Sequence, residues 1–144
     1  MAAKFFDPDQ TLIYFAGIRI QGWANGEYIS WERLTPAFQE EVGTDGEVCR
    51  SKSNDKRVKV TIKLLQSSLT NKALSIIHNK DIDGTNGAGV GTFLAQDLQG
   101  NTIINGAQTW IVKFPEGSWD RTAKAREWEL RIAEAAQIEG GNGT

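Results

Sequence analysis

Residues 57–64 read RVKVTIKL, so that Val58, Val60, Ile62 and Leu64 alternate with Arg57, Lys59, Thr61 and Lys63. Side chains leave a strand alternately to opposite faces, so a strict period of two marks a strand with one buried face and one polar face. Such a strand needs partners on its apolar side. It also raises the question of what covers the polar side: water, nucleic acid or another copy of the chain.

The partners are sought between turns. Asn25-Gly26 separates LIYFAGIRIQGW from YISWERL, and Asp45-Gly46 separates FQEEV from EVCR. Both dipeptides suit a type I′ hairpin turn, whose two central residues need positive φ. Gln99-Gly100-Asn101 separates GTFLAQDL from TIINGAQTWIVKF. All three predict antiparallel strands joined by hairpins rather than crossovers.

One segment breaks the pattern. Leu69, Ala73 and Ile76, with Leu74 and Ile77 alongside, follow helical spacing and predict one short amphipathic helix over about 69–80. Ser67, Ser68 or Thr70 is its candidate cap. Residues 83–91, DGTNGAGVG, follow as a glycine-rich loop, read as mobile. The segment REWELRIAEAAQIEGG is rich in helix formers, yet Trp128, Leu130 and Ile132 alternate with Glu127, Glu129 and Arg131. The alternation favours strand for 126–135, with helix still open on pattern alone. The expected fold is mainly β with one helix: about six to eight antiparallel strands in hairpins. The whole is expected to be one domain over residues 1–139 with a disordered tail at 140–144. Two long connections stand out, 43–56 and 83–91.

Composition narrows the function classes. With 144 residues, 40% hydrophobic and 24% charged, the chain has enough material for one core. A net charge of -2 is no global signature of a nucleic-acid binder. Cys49 is the single cysteine, so no internal disulfide forms. MAAKFFDPDQ lacks the apolar run of a signal peptide, and no segment reaches the ~18 apolar residues of a membrane span. A soluble protein made in a cytoplasm is expected, which discounts the sequon Asn142-Gly143-Thr144.

No catalytic or metal constellation emerges. His78 is the only histidine and is expected at the helix surface or boundary, with no second His or paired Cys to complete a zinc site. Cys49 beside Arg50 reads as a small half-buried residue rather than a nucleophile. Asp81-Ile82-Asp83-Gly84 begins like a calcium loop, but Thr85, Asn86 and Thr92 stand where ligands and the turn glycine belong. Gly87, Gly89 and Gly91 lie between a helix and a strand, the reverse of a dinucleotide fingerprint. Glu127 and Glu129 read as one solvated face. Arg50, Lys52, Lys56, Arg57, Lys59 and Lys63 form a basic run, but no aromatic between Phe38 and Phe93 interleaves it for base stacking. The tryptophans Trp23, Trp31, Trp110, Trp119 and Trp128 suit core and interface packing, or a glycan-binding surface if exposed.

Beyond these readings, GEVCRSKSNDKRVKVTIKLLQSSLTNKALSIIHNKD followed by FLAQDLQGNTIINGAQTWIVKFPEGSWDRTAKAREWELRIAEA resembles the small tail tube proteins of contractile-tailed bacteriophages. Arg50-Ser-Lys-Ser-Asn-Asp55 and Arg126-Glu-Trp-Glu-Leu130 are the most specific parts. The resemblance implies a β-sandwich or open barrel with a flanking helix, and strand at 126–135. It implies six subunits joined edge to edge into a ring whose sheets form one continuous barrel, stacked into a tube. A sheath protein, a tape-measure protein and baseplate or neck proteins are the implied partners, with double-stranded DNA passing through unbound. The implied location is the virion tail, and no cofactor is implied. The connections at 43–56 and 83–91 are the candidates for subunit or ring-stacking contacts, with Asp45, Arg50, Lys52, Asn54, Asp55, Arg57 and Asn86 as the named residues. Two other readings stay open: a monomeric β-sandwich that binds a glycan or peptide through its tryptophans, and an enzyme with a carboxylate pair. The tube of a related contractile injection system would be built alike.

Overall fold

The computed structural model describes residues 3–141. In chain order the strands are β1 (Thr11–Phe15), β2 (Ile18–Arg19), β3 (Ile29–Arg33), β4 (Phe38–Val42), β5 (Val48–Lys52) and β6 (Val58–Leu64). Helix α1 (Thr70–Asp83) precedes β7 (Gly91–Asp97), β8 (Ile103–Lys113), β9 (Arg126–Ile132) and β10 (Ala135–Ile138). The main sheet runs β2-β1-β7-β8-β9-β6-β3, with β10 also on β8, while β4 and β5 form a separate two-stranded sheet. Every pairing is antiparallel, as the turn chemistry predicts. The fold is mainly β with a single α-helix among the described residues.

The alternating strand sits near the middle of the core. In β6, Val58, Val60, Ile62 and Leu64 are fully buried, and β3 and β9 flank it. The ambiguous C-terminal segment is its neighbour: Trp128, Leu130 and Ile132 of β9 lie opposite Ile62, Val60 and Val58. Burial on this central strand overrides the helix propensity of the segment. β10 continues β9 along β8 without a change of register, from Ile132↔Thr109 to Ala135↔Gly106. Gly106 is required there, because a Cβ would run into the Ile132 side chain.

Ten strands exceed the expected number because the short β2 and β10 carry little pattern of their own. β2 returns from β1 through Ala16-Gly17, whose φ of 51° and 82° make a two-residue turn with both φ positive. The expected hairpin at Asn25-Gly26 does not form. Ala24 N–H donates to Lys63 O at 3.0 Å, and Tyr28 O accepts from Lys63 N–H at 2.9 Å. The intervening residues therefore leave β6 and return to the same residue. Gly26 supplies a local positive φ of 85°, but turn chemistry sets a dihedral, not a pairing partner, and both flanks prefer the apolar edge of β6. The hairpins at Asp45-Gly46 and Gln99–Asn101 form as expected.

The helix starts at Thr70 and runs to Asp83, three residues past the expected end, where Gly84 N–H closes on Lys80 O at 3.0 Å. No side-chain cap is made at Leu69, but the Ser68 hydroxyl accepts from Thr70 N–H at 3.3 Å. The buried stripe is Thr70, Leu74 and His78, with Ile77 packed against the core. Leu69 and Ile76, expected on that stripe, are 86% and 48% exposed. His78 is thus interior rather than at the surface. Its ring stands edge-on to Phe114 at 4.6 Å, and Phe114 lies 5.9 Å from Trp128. Asp81 and Asp83 belong to the last helical turn and so are not arranged as a calcium loop.

The sheet curls so that β3 leans over its far half. Arg33 donates to Lys56 O, Ala135 O and Gln137 Oε1 at 3.0, 3.3 and 3.0 Å, and the Trp31 indole N–H donates to the Glu139 carboxylate. The edge strands β2 and β3 do not pair with each other. Gly140 and Gly141 are tied to the β7–β8 turn through Thr102 and Asn101, while 142–144, with the sequon, lie outside the described residues. No helix among the described residues is long and apolar enough to cross a membrane.

Candidate assembly surfaces

Three features of the surface are unfinished in a single chain. The first is the β4–β5 hairpin. All ten of its strand residues are exposed, and its strands are about 17 Å long at ~3.3 Å per residue. Its register places Phe38, Glu40 and Val42 opposite Lys52, Arg50 and Val48 on one face. Phe38, Val42 and Val48 are 48%, 63% and 57% exposed. The Arg50 guanidinium lies 4.2 Å from the centre of the Phe38 ring. Gln39, Glu41, Cys49 and Ser51 occupy the other face, so Cys49 is exposed rather than half-buried. An isolated two-stranded hairpin is marginal in water, yet this one leaves its apolar face bare.

A latch holds its root. The Asp55 carboxylate accepts from Arg57 Nε and Nη2, both at 2.9 Å, from Arg57 N–H at 3.1 Å and from the Thr35 hydroxyl at 2.6 Å. Ser53 N–H donates to Ala37 O at 2.8 Å across the same root. The Arg57 side-chain bonds, then the Thr35 hydroxyl, then the Arg57 backbone N–H hold the Asp55 carboxyl well below the usual carboxylate range. The same pairing raises Arg57.

The second feature is the pair of free edges, β2 and β3, which pair only with β1 and β6. The third is a groove of about 310 Å³ at the open end of the core. Tyr28, Ile29 and Trp31 wall one side, and Ala95, Asp97 and Ile104 wall the other. The Thr11 and Tyr28 hydroxyls, 3.3 Å apart, bridge its floor.

The structure gathers six of the seven candidate contact residues on one element. Asp45 shapes the hairpin tip by accepting from Glu47 N–H at 3.2 Å, Arg50 and Lys52 lie on β5, and Asn54, Asp55 and Arg57 form the root. Asn86 lies apart, in the exposed loop after α1. Phe38, Val42 and Val48 escaped notice, although apolar residues confined to one alternation phase of FQEEV and EVCR were the signal. The basic run does not form one patch. Arg50 and Lys52 are on the hairpin, Lys56 and Arg57 at its root, and Lys59 and Lys63 on the outer sheet face. There Lys59 pairs with Glu129 at 3.3 Å, and Glu129 with Arg131 at 3.4 Å. Glu127 and Glu129 are part of that laced face. On the polar side of RVKVTIKL, Lys59 thus makes a cross-strand ion pair with Glu129, and Arg57 turns to Asp55.

The tryptophans are scattered as well. Trp128 is buried, Trp23 and Trp31 pack against the core, Trp110 is half-buried and Trp119 is 90% exposed.

The sequence profile of the bacteriophage PhiTE tail tube protein family matches residues 15–140, from the end of β1 past β10. The chain belongs to this phage tail tube family. A relative in the family's setting is structural protein ORF10 of Pseudomonas phage KPP10, 25% identical over 123 residues that span 85% of this chain and 71% of that protein. Two cryo-EM structures share the fold of this tail tube family member. One is the anti-feeding prophage cap, a tube-terminating cap, with a TM-score of 0.59 at 8% identity over 96% of this chain and 94% of the other. The second is the sheath/tube terminator of the PVC extracellular contractile injection system in its extended state, with a TM-score of 0.63 at 10% identity over 96% and 100%. The tail tube family member is accordingly a structural protein of a phage tail.

Proposed function

We propose that this tail tube family member builds the inner tube of a contractile tail, six copies closing edge to edge into a ring and the rings stacking into a hollow cylinder. The observation that carries the reading is that one chain leaves two sheet edges unpaired and a hairpin arm with its apolar face bare. Edges invite pairing. Joining the β2 edge of one copy to the β3 edge of the next is a heterologous contact that closes only as a ring. Closure gives every edge a partner, as in a barrel. The arm, through Asp45, Arg50, Lys52, Asn54, Asp55 and Arg57, and the loop at Asn86 are the contacts to neighbouring copies or rings.

In this reading the protein has no catalytic role. Its partners are the sheath, the tape-measure protein and the baseplate or neck proteins, and it is made in the bacterial cytoplasm before joining the virion tail. Double-stranded DNA passes without being held. A net charge of -2 and the ion-paired outer sheet face support that, since every neutralised phosphate adds affinity. A second reading, the tube or tube end of a related contractile injection system, is favoured by the fold shared with a cap and a terminator. The glycan-binding module loses ground because only Trp119 stands free in solvent. Negative-stain electron microscopy over a concentration series, with light scattering on the same samples, tests the proposal. Rings or hollow tubes are expected, and a strict monomer at the highest concentration would count against it.

A further inference from the structure

The bare face of the arm and the open groove both present apolar side chains, and the charges beside them are opposite in sign. The groove, about 310 Å³ in volume, is walled by Tyr28, Ile29, Trp31 and Ile104, and among the described residues its lining includes the exposed Glu27 but no lysine or arginine. The arm presents Val42 and Val48 side by side near its tip, with Phe38 behind them. Arg50 and Lys52 share that face, with Glu40 as its one acid. Within one chain the two do not meet, since all three apolar side chains of the arm stay in solvent.

We propose that the groove between β3 and the β7–β8 turn is the receptor for the β4–β5 arm of a second copy. Val42 and Val48 cover the apolar walls, and Arg50 and Lys52 come to the exposed Glu27 at the rim. This rests on the self-assembly reading above and names the surface that reading leaves open. The apolar contact removes both an exposed hairpin face and an unfilled core mouth from water. The charges at the rim set which way round the arm enters. Because arm and groove are different surfaces, each copy gives one contact and receives another. The contact therefore propagates from copy to copy instead of stopping at a pair.

The single native thiol makes this testable. Cys49 lies on the arm and is exposed, and Glu27 is exposed at the groove rim. Glu27→Cys is treated in assembled samples with a short bismaleimide and run on a denaturing gel. The expected result is a ladder of dimers, trimers and higher species that disappears with Cys49→Ser. One thiol per chain can give no more than a dimer, so the pairing is assigned by mixing single-thiol chains: wild type, with Cys49 alone, and Glu27→Cys/Cys49→Ser should cross-link together but not separately, which reports an arm-to-groove contact in trans. Lys72→Cys on the helix is the control, and an equal ladder from it would overturn the proposal. In parallel, Val48→Asp, at an exposed site, should keep the wild-type circular dichroism and raise the concentration needed for assembly at least tenfold. Unchanged assembly of Val48→Asp, or tubes that form without a Glu27→Cys ladder, would overturn the groove as receptor and leave the tube reading standing. Wild-type protein that forms no rings or tubes in the same micrographs would bring down both.

Discussion

Asn71 uses both ends of its amide. Its Oδ1 accepts from the Trp128 indole N–H at 2.9 Å, and its Nδ2 donates to Leu65 O at 2.9 Å. One side chain on α1 thereby fixes the largest core residue of β9 and the end of β6. Asn71→Ala leaves a buried indole N–H without its acceptor, and about 1–3 kcal/mol of stability should be lost in urea unfolding. An unchanged midpoint would mean water replaces the amide. The bond was not legible in the sequence, because Asn71 and Trp128 are far apart along the chain and nothing in either local run names the other as partner. His78 was misplaced for a related reason. The apolar residues of the helix suggested a stripe through Leu69 and Ile76, but the sheet lies against the side bearing Leu74 and His78. A helix with apolar residues on two sides does not announce which one the sheet takes.

At the scale of elements, β6 reads as its pattern predicts. Ile62→Ala, at a fully buried position, should cost about 2–5 kcal/mol. Thr61→Ala on the opposite face should stay within about 0.5 kcal/mol. Equal losses at the two positions would mean that the outer face is buried too. The arm behaves as a unit of its own, held by the Asp55 latch. The unfolded carboxyl titrates near ~3.9, and the latched one below that. The ionised latch therefore stabilises the root above the unfolded value and is lost only as pH falls through the lower folded value. Amide protection at residues 35–37 and 53–57 should be level from pH 7 to about 4 and drop in stronger acid. Asp55→Asn should lower that protection at every pH while leaving β6 and β9 amides slow to exchange. Loss of protection throughout the sheet would make Asp55 a residue of the global fold instead.

At the scale of the whole molecule, the proposed passage of DNA can be tested on the outer sheet face. Lys59 and Arg131 share the Glu129 carboxylate and the chain carries a net charge of -2, so assembled protein should not retain double-stranded DNA in a filter or gel assay at ~0.15 M salt, where nonspecific contacts need an excess of cations. Glu129→Lys, which turns that cluster wholly basic, should produce salt-sensitive retention if this face lines the tube. No change from wild type would place the face away from the lumen.

The sequence by itself determined the antiparallel character, the strand at 57–64, the lone helix, two of the three turns as hairpins, and the resemblance that the family match bears out. These are local or periodic properties, written in neighbouring residues. Only the tertiary structure decided that 126–132, where the alternation already favoured strand, lies between β8 and β6, that Asn25-Gly26 is an excursion from β6, and that β4–β5 leaves the main sheet altogether. Each of those depends on which distant segment supplies the buried partner, and a turn or a propensity carries no information about that. The groove belongs to the same class, because it exists only where β3 and the β7–β8 turn approach without pairing.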